Sequence, residues 1–396
     1  MPIEFDGGQS PFDFDHRYQG PFYTEDHQAW RATLRAFVDK EIMPFVDEWD
    51  EAGEFPRALY TKAAQVGLLG AGYPEAYGGI PVSDAFFILV TAEEMARCSS
   101  GGINASLLVH SIGLPPVLAT GSEDMKRRIA PQVLAGEKIH ALAVTEPSGG
   151  SDVSNLRTTA VRDGDHYIVN GSKMFITGGM RADYYTVAVR TGGEGAAGVS
   201  LLLIEREREG FTRTPLKKQG WWASDTAALY FDDVRVPAEN LIGEENQGFK
   251  GIMANFNTER LWMSASANAL ARVCLEDALA WARDRKTFGK RLADHQVIRH
   301  KLAEMARKIN ATQAYLEQCA LRVGAGEKPI ADLSLLKVQA TLTMEFCARE
   351  GMQILGGAGY LRGCRIERIY REVRVNAIGG GSEEILRDLA ARQMGV

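Results

Sequence analysis

The chain of 396 residues has few cysteines, little excess charge and no long unbroken apolar run. Its cysteines, Cys98, Cys274, Cys319, Cys347 and Cys364, are odd in number and far apart. No pair has metal-ligand or redox spacing, so no metal site is expected, and buried reduced thiols in a cytoplasmic setting are. Lysine and arginine number 45 against 51 aspartates and glutamates, a net charge of −6. That balance disfavours a nucleic-acid partner gripped through its phosphates, while leaving room for a local basic pocket. The start, Met1-Pro-Ile-Glu-Phe-Asp6, is acidic and has no basic stretch followed by an apolar run, so neither secretory signal nor transit peptide is expected. No stretch approaches the length of a membrane span. Internal repeats, low-complexity linkers and the Gly-x-Gly-x-x-Gly fingerprint of a Rossmann fold are also missing, so a dinucleotide would need another architecture.

What is present divides into three parts, 1–138, 139–248 and 249–396. The first is helical. Thr24 reads as a cap with acidic residues in the first turn, and Trp30, Leu34, Phe37, Val38 and Ile42 recur at helical spacing before Pro44. Further helices are expected over 58–69 and 83–98. Near His140 the period changes to short β-branched and aromatic runs, 166–170, 184–190, 199–205 and 227–231, bounded by turn residues. Asp163-Gly164 and Asn170-Gly171 read as tight turns. Helix returns over 252–323 and 330–355 with few breakers, as in an antiparallel bundle. The expected fold is therefore a multi-part α+β chain: an all-α N-terminal domain, a central β-sheet or barrel, and a C-terminal helical bundle.

Two motifs frame the β-part: Ala143-Val-Thr-Glu-Pro-Ser-Gly-Gly-Ser-Asp-Val153, and Lys173-Met-Phe-Ile-Thr-Gly-Gly179 some twenty residues on. Asp232-Asp-Val-Arg-Val-Pro237 closes it. A third, Arg285-Lys-Thr-Phe-Gly-Lys-Arg-Leu-Ala-Asp-His-Gln296, offers an arginine with nearby hydroxyl and backbone donors, which suits a pyrophosphate. Together with Gln353-Ile-Leu-Gly-Gly-Ala-Gly-Tyr360 and Ile378-Gly-Gly-Gly-Ser-Glu-Glu-Ile385, these resemble the acyl-CoA dehydrogenases in order and spacing. The resemblance implies FAD as cofactor. Leu142, Val144, Thr145, Ser151, Phe175 and Thr177 would line the flavin. Arg285, Thr287, Phe288, Gln296, Gln353, Gly356 and Gly357 would hold the pyrophosphate and adenosine of a neighbouring subunit, with Ser382 and Glu384 near the adenosine end. Taken alone, Phe175 reads equally well as ordinary core. A site shared between subunits implies a homo-oligomer, expected to be a tetramer. The implied reaction is α,β-dehydrogenation of an acyl-CoA in fatty-acid β-oxidation, with electron-transferring flavoprotein as electron acceptor. Ser151, Arg260 and Gly380 would touch the substrate.

The reaction needs a carboxylate of raised pKa to take a weakly acidic α-proton, and donors on the thioester oxygen where enolate charge develops. In many members of the family the position matching Gly380 is a glutamate. Glycine cannot take a proton, although its backbone N–H still serves as a donor. In long-chain and isovaleryl-type members the glutamate stands instead at the position matching Glu259. This sequence carries both halves of that exchange, so Glu259 is the expected base and a medium, long or branched acyl chain the expected substrate. The competing reading of Glu259 is a helix-end carboxylate paired with Arg260 or Arg285. Other chemistries on the same scaffold are a flavin oxidase or monooxygenase, and a dehydrogenase of carrier-protein thioesters. A relative linked to DNA alkylation response should show a basic face or an added basic C-terminal segment, which the overall acidity of this sequence disfavours.

Overall fold

In the computed structural model, which describes residues 21–396, Thr24 opens the first helix, α1 (Glu25–Glu41). Its backbone N–H donates to His27 Nδ1 at 2.9 Å, and Glu25 and Asp26 sit at the positive end of the helix. The acidic start, Met1 to Asp6, lies outside the described residues. After α1 a tight turn holds Pro44 and leads into α2 (Val46–Ala52), followed by α3 (Ala58–Gln65), α4 (Phe86–Ala96), α5 (Gly101–Leu107), α6 (His110–Thr120) and α7 (Glu123–Leu134). Two of these are shorter than their sequence pattern. α3 stops early because the chain turns at Gly67, which takes φ +84°. α4 starts late because the Asp84 carboxylate accepts the Phe86 N–H at 2.8 Å. One continuous run among the described residues, Gly101–Thr120, is long and apolar enough by composition to cross a membrane, which corrects the sequence expectation. Most of it is buried within the protein, where it serves as core.

The central part is a sheet of β1 (His140–Ala143), β2 (Thr159–Asp163), β3 (His166–Ile176), β4 (Tyr184–Arg190), β5 (Val199–Glu205), β6 (Phe211–Pro215), β7 (Ala227–Pro237) and β8 (Leu241–Ile242). Its order is β6-β7-β3-β2-β4-β5-β8, with β1 added in parallel on β4. Asp163-Gly164 makes the β2–β3 hairpin as expected, Asp163 facing His166. Asn170-Gly171 is not a turn. β3 runs straight through it and shifts register against β7 there, with Gly171 at φ +143° against Thr158. A bulge uses the glycine that a hairpin would have used. The inner face of the sheet joins Phe37, Val38, Phe55 and Tyr60 of the helical part in one core with Tyr167, Tyr185 and Leu229.

The C-terminal part is α8 (Gly248–Asp284), α9 (Gln296–Gly324), α10 (Ile330–Leu355), α11 (Arg365–Ile378) and α12 (Glu383–Met394). The helical stretch expected over 252–323 is interrupted. Between α8 and α9 the chain makes a small hairpin, β9 (Lys286–Thr287) with β10 (Lys290–Arg291), turned by Phe288 at φ +50° and Gly289 at φ +78°. α10 matches its sequence range. Alanines at 265, 267, 269, 271, 278 and 282 favour the helix and let α8 pack closely on α10. The first turns of α8 reach the β-part, where Phe249, Ile252 and Phe256 share a core with Leu142 and Val144. At the far side, α11 is tied to the rest by buried charge. Arg371 pairs with Asp50 at 2.9 Å, and Glu372 accepts the backbone N–H groups of Gly101 at 2.7 Å and Trp221 at 3.2 Å.

Candidate active site

Glu259 lies three turns into α8. It makes no ion pair among the described residues, and Arg285, one of the partners proposed for it, stands 26 positions further along the same helix, about 39 Å along the axis. Part of the Glu259 surface is open, yet the surrounding protein dominates its titration. Burial pushes its carboxyl up to about 7, against the opposing fields of Arg260 and Lys337. A carboxyl poised there is a competent base near neutral pH.

Gly380 faces it. The Gly379–Gly381 turn joins α11 to α12, with Gly380 at φ +66° and Gly381 at φ +102°, conformations that favour glycine. A Cβ placed on Gly380 would stand 3.8 Å from Glu259 Oε1 and 2.5 Å from Met263 Sδ. Met263 is one turn beyond Glu259 on the same face of α8. The space that a side chain at 380 would enter is thus filled by the pair Glu259 and Met263. Among the described residues no acceptor takes the Gly380 N–H, whereas the neighbouring Gly379 N–H donates to Val375 O at 2.7 Å. Glu383 and Glu384 turn elsewhere: Glu383 pairs with Arg387 at 2.9 Å and Glu384 is exposed in the first turn of α12.

Arg260, next to Glu259, is buried. Its Nη1 donates to Asn257 Oδ1 at 3.4 Å, its guanidinium lies over the Phe256 ring, and its Nε finds no partner among the described residues.

The strand motif is built on a buried ion pair that the sequence reading did not single out. Lys173, 0% exposed, donates from Nζ to Glu146 Oε1 at 2.8 Å and to Val144 O at 3.0 Å. Burial brings its ammonium down to about 8. Glu146 is desolvated too, but Lys173 and the N–H groups of Thr158 and Arg157 hold its carboxyl below the usual range. The Met174 N–H donates to Thr145 O at 2.8 Å, so the Thr145 and Phe175 segments run side by side. A pair of opposite charges spaced across two motifs was the signal available in the sequence.

Phe175 is not core. It is 67% exposed, has φ +63°, and sits where β3 breaks register between Lys173 and Ile176. A strained aromatic presented on the surface is a platform for a planar ligand. Leu142 on β1, Thr145 just past β1 and Thr177 just past β3 are half-buried, and Ser151 is exposed. Val144 turns its side chain into the core. These residues fit a flavin ring.

The pyrophosphate candidates gather at the other end of the bundle. Arg285, at the end of α8, and Leu355, at the end of α10, line a groove of about 520 Å³ with Asp277, Ala280, Trp281 and Asp284. Gly356 and Gly357 follow Leu355 directly and are exposed, as are Gln353 and Gln296. Thr287 lies 3.4 Å from His295, and Phe288 is 97% exposed. Ser382 Oγ caps α12 by accepting from Ile385 N at 3.4 Å.

Models of the acyl-CoA dehydrogenase N-terminal, middle and C-terminal domains match residues 24–137, 141–234 and 246–395. Long-chain specific acyl-CoA dehydrogenase of Rattus norvegicus is 38% identical, over 94% of this chain and 87% of the relative. The crystal structure of an acyl-CoA dehydrogenase from Geobacillus kaustophilus is 36% identical with a TM-score of 0.92, covering 95% of this chain and 100% of that one. A glutaryl-CoA dehydrogenase from Mycobacterium smegmatis, solved in complex with FADH2, is 28% identical with a TM-score of 0.89, covering 97% and 96%. This chain belongs to the acyl-CoA dehydrogenase family, the FAD-dependent oxidoreductases that act on acyl-CoA.

Proposed function

We propose that Glu259 is the base of this dehydrogenase and that the substrate is a medium, long or branched acyl-CoA. The observation that carries the reading is the occupation of the Gly380 side-chain space by Glu259 and Met263, with the Glu259 carboxyl raised to about 7. FAD, when bound, supplies the acceptor for the hydride that leaves Cβ. Glu259 takes the α-proton in an apolar setting where the ionised carboxylate is poorly solvated and correspondingly basic. The uncommitted Gly380 N–H donates to the thioester oxygen as negative charge develops there. Arg260, buried with an unpartnered Nε, offers a donor to the substrate beside the base. Phe175 packs on the flavin face, and the Thr145 and Thr177 segments offer donors at its edge.

Glu259 and Arg285 are too far apart on one helix for a single dinucleotide to reach both. That supports a cofactor shared across a subunit boundary, hence a homo-oligomer, read as a tetramer. The exposed Phe288, Tyr360 and Leu361 near the groove suit such a boundary. The 38% identity to a relative named as long-chain specific supports the longer-chain reading. Electron-transferring flavoprotein is the proposed acceptor of the electrons. Anaerobic titration of the yellow holoenzyme with straight and branched acyl-CoAs, followed by flavin absorbance, tests the proposal. Bleaching by long or branched chains at stoichiometric amounts is expected, and bleaching by short straight chains alone would overturn the substrate assignment.

A further inference from the structure

Lys337 lies on α10, 0% exposed, in a position that a bundle helix would normally give to an apolar side chain. Its Nζ donates to the carbonyl oxygen of Gly381 at 2.9 Å. That carbonyl belongs to the turn whose middle residue, Gly380, faces the Glu259 carboxylate. The turn has two successive residues in positive-φ conformations and no side chains of its own to fix it. A glycine turn loses much conformational freedom on being ordered, so an external anchor matters more here than in an ordinary loop.

Resting on Glu259 and the Gly380 N–H as the working groups, we infer that Lys337 is a positioning residue for the reaction. Its hydrogen bond fixes the Gly379–Gly381 turn, so that the Gly380 N–H is held at the thioester oxygen. Its charge, carried on the helix opposite Glu259, opposes the rise that burial causes in that carboxyl. The charged groups that face Lys337 are Glu259 and Arg260 from α8 and Glu383 from α12. Of the cations, Arg260 acts on Glu259 from the same helix, and Lys337 acts from the opposite one. One buried ammonium thus couples the donor turn to the base.

The sign of the charge effect is fixed. Removing the Lys337 cation removes a field that lowers the Glu259 pKa, so the base then needs a higher pH to ionise. Lys337→Met keeps the length and apolar stem while deleting charge and donor. Lys337→Gln keeps an N–H donor without the charge. Both are compared with wild type as FAD-loaded holoenzyme, by stopped-flow flavin reduction at saturating acyl-CoA from pH 5.5 to 9. For Lys337→Met the limiting rate should fall roughly tenfold to a hundredfold with little change in the half-saturating substrate concentration. Its pH midpoint should move up by about one unit. Lys337→Gln should recover part of the rate and leave the midpoint displaced. A purely structural lysine would change holoenzyme yield or melting temperature but not the midpoint. If Lys337→Met does not accumulate with flavin, Lys337→Gln alone decides by its midpoint. An unchanged midpoint in the folded variants, with Glu259→Gln inactive, overturns the role of Lys337 and leaves the base assignment standing. Reduction at an undiminished rate in Glu259→Gln overturns the base assignment itself.

Discussion

The Oε1 of Glu259, on α8, stands 3.8 Å from the point where a Cβ on Gly380, in the turn between α11 and α12, would be, although the two residues are 121 positions apart. The carboxylate and the vacated side-chain position share one small volume. That relationship is the ground for the proposed relocation of the base, from which follows what each neighbouring substitution should do.

Glu259 has a protonation state that matters twice. As a base it must be ionised, so flavin reduction by acyl-CoA should rise with pH through about 7 and then level off. For stability the sign is opposite. Burial raises the carboxyl in the folded state, so folding favours the neutral acid. The resulting stabilisation is present below the ordinary carboxylate range and is lost as pH climbs through about 7. Glu259→Gln should therefore melt higher than wild type at pH 8.5, by an amount on the order of 3 kcal/mol, and nearly with it at pH 5. Thermal denaturation of both proteins at the two pH values checks this.

Restoring a side chain at 380 should not be simple. Gly380→Ala places a Cβ at φ +66° and against Met263, and should cost roughly 1–2 kcal/mol from backbone strain alone. Glu259→Gln with Gly380→Glu should recover little flavin reduction. Adding Met263→Ala, which clears the contact at Sδ, should recover more. Single-turnover rates of the double and triple variants would separate the two cases.

The sequence showed the division into helical, strand and helical parts, because periodicity changes sharply near 140 and 248. It also carried Glu259 together with Gly380, the two residues on which the proposed base rests. The break between α8 and α9 was missed although Gly289 was a signal for it, because Phe288 beside it takes a left-handed conformation that its residue type does not advertise. Asn170-Gly171 was misread because a tight turn and a bulge ask for the same residue types. Met263 and Lys337 were illegible for a different reason. Their importance comes from contacts across helices, with Gly380 and Gly381, that no local pattern encodes.

Phe175 gives a test that separates fold from cofactor. Phe175→Gly relieves a strained φ of +63° and removes an exposed ring, so the flavin-free protein should be as stable as wild type or about 1 kcal/mol more so. Its FAD should dissociate more readily. Calorimetry of the apoprotein and fluorescence titration with FAD give the two readings.

Lys173→Met should behave in the opposite way. It leaves Glu146 buried without its partner and frees the Val144 carbonyl, and should destabilise the β-part by about 3–5 kcal/mol. Adding Glu146→Gln should return part of that loss, measurable as the denaturation midpoint of the single and double variants.

The most direct test of the relocated base is anaerobic stopped-flow mixing of the Glu259→Gln holoenzyme with a long-chain acyl-CoA. FAD should remain bound, the substrate should still perturb the flavin spectrum, and flavin reduction should slow by roughly 10²–10⁴-fold or more. Reduction at the wild-type rate would show that another group takes the α-proton and that Gly380 was vacated for some other reason.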